Sequence, residues 1–426
     1  MLLLAALCSC SGEKAENADK KVTGSFAEYA DTFNEWDSAV LRNSFVRLDV
    51  IPELGGKIMG YSAFGNQILW HNPTLRGEID IFHQNDFGEP FINTGGAKVW
   101  PAPQGKWGGP PDKVLDGSPY EFTTEGNVIT VTGPEDTESG RTGIQYSHRY
   151  TLQPKSTIVD LELTMKNSSA SPIEWALWHL STVPANGNYT VYVPVDKGNW
   201  EVMHGEKNDE QWLGVTDGFF RARPNEFVGK VGMKVREGWA ALHNEDAGII
   251  YTMHYPLEKP GSGKKYPHGG HNFEIWSTGA LKDESGTVAP DMSHLELEVL
   301  APLTELAPNE STSLNVKWGV CKASALKRVL PFAVISEEIT LKNGSATGKL
   351  GTLQSATLEQ ELLLANGERR GIKKLAEVNP MSEVILNVVP VIPRDAAILR
   401  YQLIDANGDI IGILKEIKIK PEDISF

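Results

Sequence analysis

The chain is 426 residues long, with 40% hydrophobic and 22% charged residues and a formal net charge of −15. That length exceeds what one hydrophobic core usually fills, so two or three domains are expected, and the composition is that of a globular chain rather than a disordered or membrane-spanning one. The acidic balance and the lack of a clustered Lys/Arg face exclude a general nucleic-acid binder, whose affinity rests on neutralising phosphates.

The first 21 residues, MLLLAALCSCSGEKAENADKK, are apolar up to a Cys-Ser-Cys and then abruptly polar. The apolar run is too short to span a bilayer and reads as the end of a secretory h-region followed by a polar tether. Leu7-Cys8-Ser9-Cys10 resembles a bacterial lipobox, which makes Cys10 the expected lipidation site. It also implies a lipoprotein of the periplasm, outer membrane or cell surface, touching the membrane through its anchor only. Cys321 then stands alone in the body of the chain, and one thiol makes no internal disulfide, so the fold must be held by its core.

From about residue 40 onward, short alternating runs such as FVRLDVI, NVITVTG, IQYSHRYTL, TIVDLELTMKN and TSLNVKWGV are separated by Gly, Asn, Asp and Pro. Period-two alternation at this density predicts half-buried antiparallel strands, and the scarcity of amphipathic helices predicts a large sandwich or barrel. One short helix is expected within SALKRVLPFAV, residues 324–334, ending at Pro331.

Four stretches carry side chains that a plain sandwich does not need. In GGAKVWPAPQGKWGGPPD, residues 95–112, Lys98, Trp100, Gln104 and Trp107 stand among glycines and prolines, so they are expected on a rigid loop. Flat aromatic faces beside amide and charged groups suit a sugar, whose C–H surface stacks while its hydroxyls hydrogen-bond. In WALWHLSTVPANG, alternation puts Trp175, Leu177, His179 and Ser181 on one strand face and Ala176, Trp178 and Leu180 on the other. An imidazole among bulky apolar neighbours can be tuned for acid or base work. In YPHGGHNFEIWSTG, His268, His271 and Glu274 enter a strand on which Asn272, Glu274 and Trp276 share a face. Their spacing lacks a strong zinc signature, so hydrogen bonding to a polyhydroxylated ligand is the better reading, and neither metal nor cofactor is expected. In SHLELEVLAPLTELAPNES, His294, Glu296 and Glu298 alternate with Leu295, Leu297 and Val299. Strand rise sets the two carboxylates about 7 Å apart on one face, where shielding from water would raise their pKa values and suit a general base.

After about residue 334 the chain has Asn-Gly turns but no Trp, Cys or His. This tail reads as a small immunoglobulin-like β-sandwich serving as a spacer or docking module. The expected division is therefore signal and tether at 1–21, a main domain at 22–330 and an accessory domain at 331–426.

VRLDVIPELGGKIMGYSAFGNQILWHNP, together with GGAKVWPAPQ, PHGGHNFEIW and HLELEVLAPLTELAPNES, resembles the DUF4380 family within the galactose mutarotase-like supersandwich superfamily, over roughly residues 40–322. The resemblance implies an all-β supersandwich ahead of the small C-terminal sandwich, with a sugar cleft on one sheet. Mutarotases use a histidine as acid toward the ring oxygen and a glutamate as base toward the anomeric hydroxyl. It implies His179 for the acid and Glu298, or Glu296, for the base, with Lys98, Trp100, Gln104, Trp107, His271, Glu274 and Glu296 holding substrate. The sequence departs from the pattern where LSTVPANG follows His179 in place of an aromatic pair. Three functions stay open on this reading. The first is an aldose 1-epimerase-type isomerase, and the second a non-catalytic glycan-binding lipoprotein. The third is a polysaccharide lyase or hydrolase using Tyr255, Tyr266 or the paired glutamates.

Overall fold

The computed structural model describes residues 26–84, 90–137, 142–259, 261–281 and 289–420, with the side chains of 26–30 and 290 left aside. The signal, the tether and Cys10 lie outside the described residues. Among the described residues are 29 strands, one short α-helix at Lys113–Gly117 and two 3-10 turns. None of their helices is long and apolar enough to cross a membrane.

Two antiparallel layers make up the main body. The first layer runs laterally from Phe26–Phe33 through Trp36–Arg42, Val46–Ile51 and Lys57–Ala63 to Ala97–Ala102. It continues through Ile173–Pro184, His294–Leu300, Phe273–Ser277 and Gly229–Val235. The second layer holds Glu121–Glu125, Val128–Thr132, Ile144–Leu152, Val159–Asn167, Ser311–Lys322, Ile249–His254 and Trp239–Asn244. The 16-residue strand Tyr189–His204 pairs in both layers and joins them into one 21-stranded system.

Alternation decides what lies between the layers. Leu48, Tyr61, Val99, Leu177, Val231, Phe273 and Val299 of the first layer meet Tyr146, Leu161, Leu242, Tyr251, Val316 and Trp318 of the second in one buried core. The opposite, outer face of the first layer is also covered, because segments between strands fold back over it. Trp100, Ala102, Ala176, Trp178, Leu180 and Leu300 form an apolar patch there, closed by Phe91, Trp107 and Leu303.

The last strands form two four-stranded sheets around a core of their own, with Ile335, Leu350, Leu358, Leu399 and Tyr401 at its centre. This small sandwich is fused to the main body rather than tethered. Ile158, Trp239, Ile250, Cys321, Val329 and Leu353 form a shared apolar junction, and Thr157 Oγ1 donates to the Leu353 carbonyl at 3.0 Å. The helix expected at 324–334 is not formed. Arg328–Leu330 and Ala333–Lys342 pair as a hairpin across Pro331, and Leu326 and Val329 are spent on the junction. Burial against the main body outweighs helix propensity there.

Candidate functional site

The outer face of the first layer gathers the ionisable side chains. It is built from alternate residues of five strands: Lys98 and Trp100 on Ala97–Ala102, Trp178 and Leu180 on Ile173–Pro184, His294, Glu296 and Glu298 on His294–Leu300, Glu274 and Trp276 on Phe273–Ser277, and Lys230 on Gly229–Val235. The register places Trp178 opposite Trp100, Leu180 opposite both Lys98 and Glu298, and Glu298 opposite Glu274. All seven residues of His294–Leu300 are buried, so neither face of that strand is solvated.

The expected loop at 95–112 is corrected in its first half, since Ala97–Ala102 is a strand interior to the layer. Pro101 is tolerated because only Ala97 pairs on the Lys57–Ala63 side, leaving that edge of the strand without a ladder to interrupt. Trp100 is therefore buried rather than displayed. Its indole N–H donates to Asp116 at 2.8 Å, the edges of Trp107 and Trp178 pack on it, and the Lys98 ammonium stands 4.7 Å from its centroid. With one face taken by a cation, Trp100 has no room to stack a sugar. Trp107 and Trp276 are the half-exposed tryptophans of this region.

Two charged clusters sit on this face. In one, Lys230 Nζ lies 2.8 Å from Glu274 and 2.9 Å from Glu298, and Trp178 Nε1 donates to Glu298 Oε2 at 2.9 Å. His268 Nδ1 is 3.0 Å from Glu274, and His271 Nε2 is 3.0 Å from Glu201 on the exposed rim. In the other, Lys98 Nζ contacts Glu296 at 3.0 Å and Asn93 at 2.8 Å, while Asn93 also reaches His294, whose ring stacks on Trp70 at 4.1 Å. A third buried pair, Lys57 with Asp116 at 2.9 Å, lies beside them.

Burial separates the titrations of the carboxyls. Glu298 is pushed up to about 8, chiefly by burial, with Glu274 and Glu296 adding to the rise and Lys230 opposing it. For Glu274 burial also acts upward, but the hydrogen bond with His268, the neighbouring His271 and the charge of Lys230 outweigh it and hold the carboxyl low. Glu296 is likewise held low against burial, mainly by Lys98. Two carboxyls sharing one ammonium thus divide into an ionised Glu274 and a protonated Glu298 at neutral pH.

His179 is placed elsewhere, and the expected His179–Glu298 pair is corrected. His179 shares the core face with Leu177 and Ser181, 1% exposed, its ring 5.8 Å from Trp318 and its Nε2 3.2 Å from Ser181. Burial, with His148 nearby, lowers its pKa to about 3. His179 and His148 line a small cavity of about 10 Å³ inside the sandwich, each with an Nδ1 that meets no partner among the described residues. Tyr255 is in the core too, stacked on Phe273 at 5.9 Å, and the Tyr266 hydroxyl accepts the Glu258 N–H at 3.0 Å. Neither tyrosine has a hydrogen bond to the charged clusters among the described residues.

The structure does bring Lys98, Trp100, Glu274, Glu296 and Glu298 onto one face. Gln104, Trp107 and His271 stand on segments that fold over it. The sequence reading missed Lys230, His268 as a closing group, Asn93, Trp70 and the Lys57–Asp116 pair. Only Lys230 carried a readable signal, since Val231, Met233 and Val235 alternate with Lys230, Gly232 and Lys234 on their strand. His268, Asn93 and Trp70 come from irregular segments with no periodicity to mark them, and Lys57 and Asp116 stand at the start of a strand and in a one-turn helix, too short to show any.

No curated protein matches the sequence. Among solved structures, the chain is similar to the Slr1438 protein of Synechocystis, at 14% identity over 69% of this chain and 100% of that one, with a TM-score of 0.47. A galactose mutarotase-like protein of Clostridium acetobutylicum is 13% identical over 70% of this chain and 99% of its own, with a TM-score of 0.45. Another, of Lactobacillus casei, is 11% identical over 66% and 99%, also with a TM-score of 0.45. The family described as a domain of unknown function, DUF4380, matches residues 37–321, a span that contains every residue of the charged face, and the chain belongs to that family.

Proposed function

We propose that the chain binds a carbohydrate on the outer face of the first layer, and that Glu298 exchanges a proton with the anomeric hydroxyl in an aldose 1-epimerase-type reaction. The observation that supports this most directly is Glu298 itself, a carboxyl 1% exposed and titrating near 8, with Trp178 and Lys230 fixing one oxygen. Such a group can both give and take a proton near neutral pH. Trp276 and Trp107 supply stacking surfaces, and Gln104, His271 and Glu201 supply hydroxyl partners at the rim. With His179 in the core, protonation of the ring oxygen falls to His271, the imidazole of this face that neighbours Glu274 and is not tied to the Gln104 amide. In its ionised form, the minor one at neutral pH and the major one above about 8, Glu298 takes the anomeric proton while the ring oxygen gains one from the histidine, and the sugar opens; reclosure on either face gives either anomer.

A second reading, a receptor without turnover, is favoured by the pairing of Lys57, Lys98 and Lys230 with carboxylates inside the protein. One experiment separates the two. Residues 22–426 are screened against mono- and oligosaccharides by thermal shift, and each hit is followed by NMR of anomer interconversion. Interconversion faster with the protein than without it, and lost in Glu298→Gln, is the expected result. Stabilisation without acceleration leaves the receptor, and no binding at all rejects both.

The proposed setting is a lipid-anchored protein of a bacterial periplasm or cell surface, attached through Cys10. Mass spectrometry of the mature N-terminus tests it, and an unmodified Cys10 in the native host refutes it.

A further inference from the structure

We infer that His268 is a pH-operated clasp holding the Tyr266–His271 strap against the loop at Gln104, closed over the floor of the charged face, and that acidification opens it. The clasp stands on geometry alone; its consequence for ligand entry rests on the reading of this face as a carbohydrate site.

The strap is YPHGGH, and three consecutive residues in it have positive φ: His268 at 48°, Gly269 at 80° and Gly270 at 92°. Glycine adopts that conformation freely, whereas for histidine it is strained, so specific contacts must hold His268 there. Two hydrogen bonds do so. The backbone N–H of Gln104 donates to His268 Nε2 at 3.2 Å, and His268 Nδ1 lies 3.0 Å from Glu274 Oε1. The imidazole edge also packs on Trp178, with 5.0 Å between centroids.

These partners dictate one protonation state. An amide N–H only donates, so Nε2 must present a lone pair, and a carboxylate only accepts, so Nδ1 must carry the proton. Adding a second proton sets N–H against N–H at Gln104 and breaks that bond, while the attraction to Glu274 persists. The remaining groups facing His268 do not offer Gln104 another acceptor. They are Trp178, Lys230 on the far side of Glu274, His271 at 3.8 Å from the same Glu274 oxygen, Glu298 beyond Lys230, and, alongside Gly269 and Gly270, Lys234 and Glu201, the latter engaged by His271. What the clasp closes over is the deepest part of the face, since Glu274 is 0% and Glu298 1% exposed while the His268 side chain is only 12% exposed.

Amide hydrogen exchange of the unliganded chain, read at Gln104 by NMR, tests this. Gln104 itself is exposed, so its amide has the clasp to protect it. Protection is expected at pH 8 and falls at least tenfold by pH 5, after correction for intrinsic exchange. In His268→Gln, whose amide oxygen accepts without titrating, protection stays level across that range; in His268→Ala it is absent throughout. Equal protection in wild type and His268→Ala, or wild-type protection indifferent to pH, overturns the clasp. For a carbohydrate that binds, the association rate rises from pH 8 to 5 in wild type and not in His268→Gln. A pH-independent rate beside a clasp that opens overturns the gating. If no carbohydrate binds, the exchange data still decide the clasp, and the ligand reading alone fails.

Discussion

Trp178 donates its indole N–H to Glu298 Oε2 at 2.9 Å, although the residue opposite Glu298 in the strand register is Leu180. The bond is diagonal, and it places the donor of a fully buried tryptophan on the oxygen that also faces Lys230. Both donors favour the carboxylate, yet burial prevails and the group titrates near 8.

That balance makes Glu298 a pH-dependent liability. Its folded-state pKa is raised above the ordinary carboxyl value, so its favourable contribution is complete below about 4.5 and lost as pH rises through 8. Glu298→Gln removes the titration. Urea unfolding at a series of pH values should show wild type losing stability relative to the variant by on the order of 1 kcal/mol per pH unit between roughly pH 5 and 8. Parallel profiles would show that the carboxyl is ionised throughout.

The buried imidazoles act in the opposite direction. Burial lowers His179 to about 3 and His148 to about 4, and His294 reaches about 4 despite the opposing charge of Glu296. A depressed histidine stabilises the fold above its unfolded value near 6.5, and that contribution disappears as pH falls toward the folded value. Stability should therefore fall steeply below pH 6, and His179→Leu should flatten the acid limb while leaving carbohydrate binding at neutral pH intact. Loss of binding in that variant, with the fold preserved by circular dichroism, would restore His179 to the site.

Lys98 and Glu296 test whether the face is held by pairing. Lys98→Met leaves Glu296 buried without its cation and should cost about 3–5 kcal/mol. Adding Glu296→Gln should recover more than half of that, because no uncompensated charge is left. A double-mutant cycle by urea unfolding measures the coupling. Additive effects would mean that solvent reaches the pair.

Gly232 is the seat of His271. A Cβ at Gly232 would stand 2.2 Å from His271 Nδ1, so Gly232→Ala must displace the ring and with it the 3.0 Å contact to Glu201. The expected outcome is a folded protein whose affinity for any carbohydrate ligand drops about tenfold or more. Titration calorimetry checks this, and unchanged affinity would remove His271 and Glu201 from the binding surface.

Much of the fold was readable because β-structure writes itself locally. The alternation in TIVDLELTMKN and HLELEVL marked strands, and the strands are there at Val159–Asn167 and His294–Leu300. The change in texture after residue 334 marked the small sandwich. Where local signals compete, the sequence misled. Gly and Pro around Lys98 and Trp100 suggested a loop, because nothing nearby in the chain reveals that beyond Ala97 one edge of that strand goes unpaired among the described residues.

The sequence by itself determined that His179 and Trp178 point in opposite directions, and that Glu296 and Glu298 point the same way, since the period of a strand fixes both relations. It did not determine which direction is the core. That depends on which face meets the second layer, and both faces of Ile173–Pro184 bear large apolar side chains suited to burial. Only the tertiary structure decided it, by packing His179 against Trp318, more than a hundred residues away, and bringing Lys230, Glu274 and Trp178 to Glu298 from three other strands. Pairwise pKa shifts, tautomers and the clasp at Gln104 are properties of distances between such strands and loops, and no local pattern encodes them.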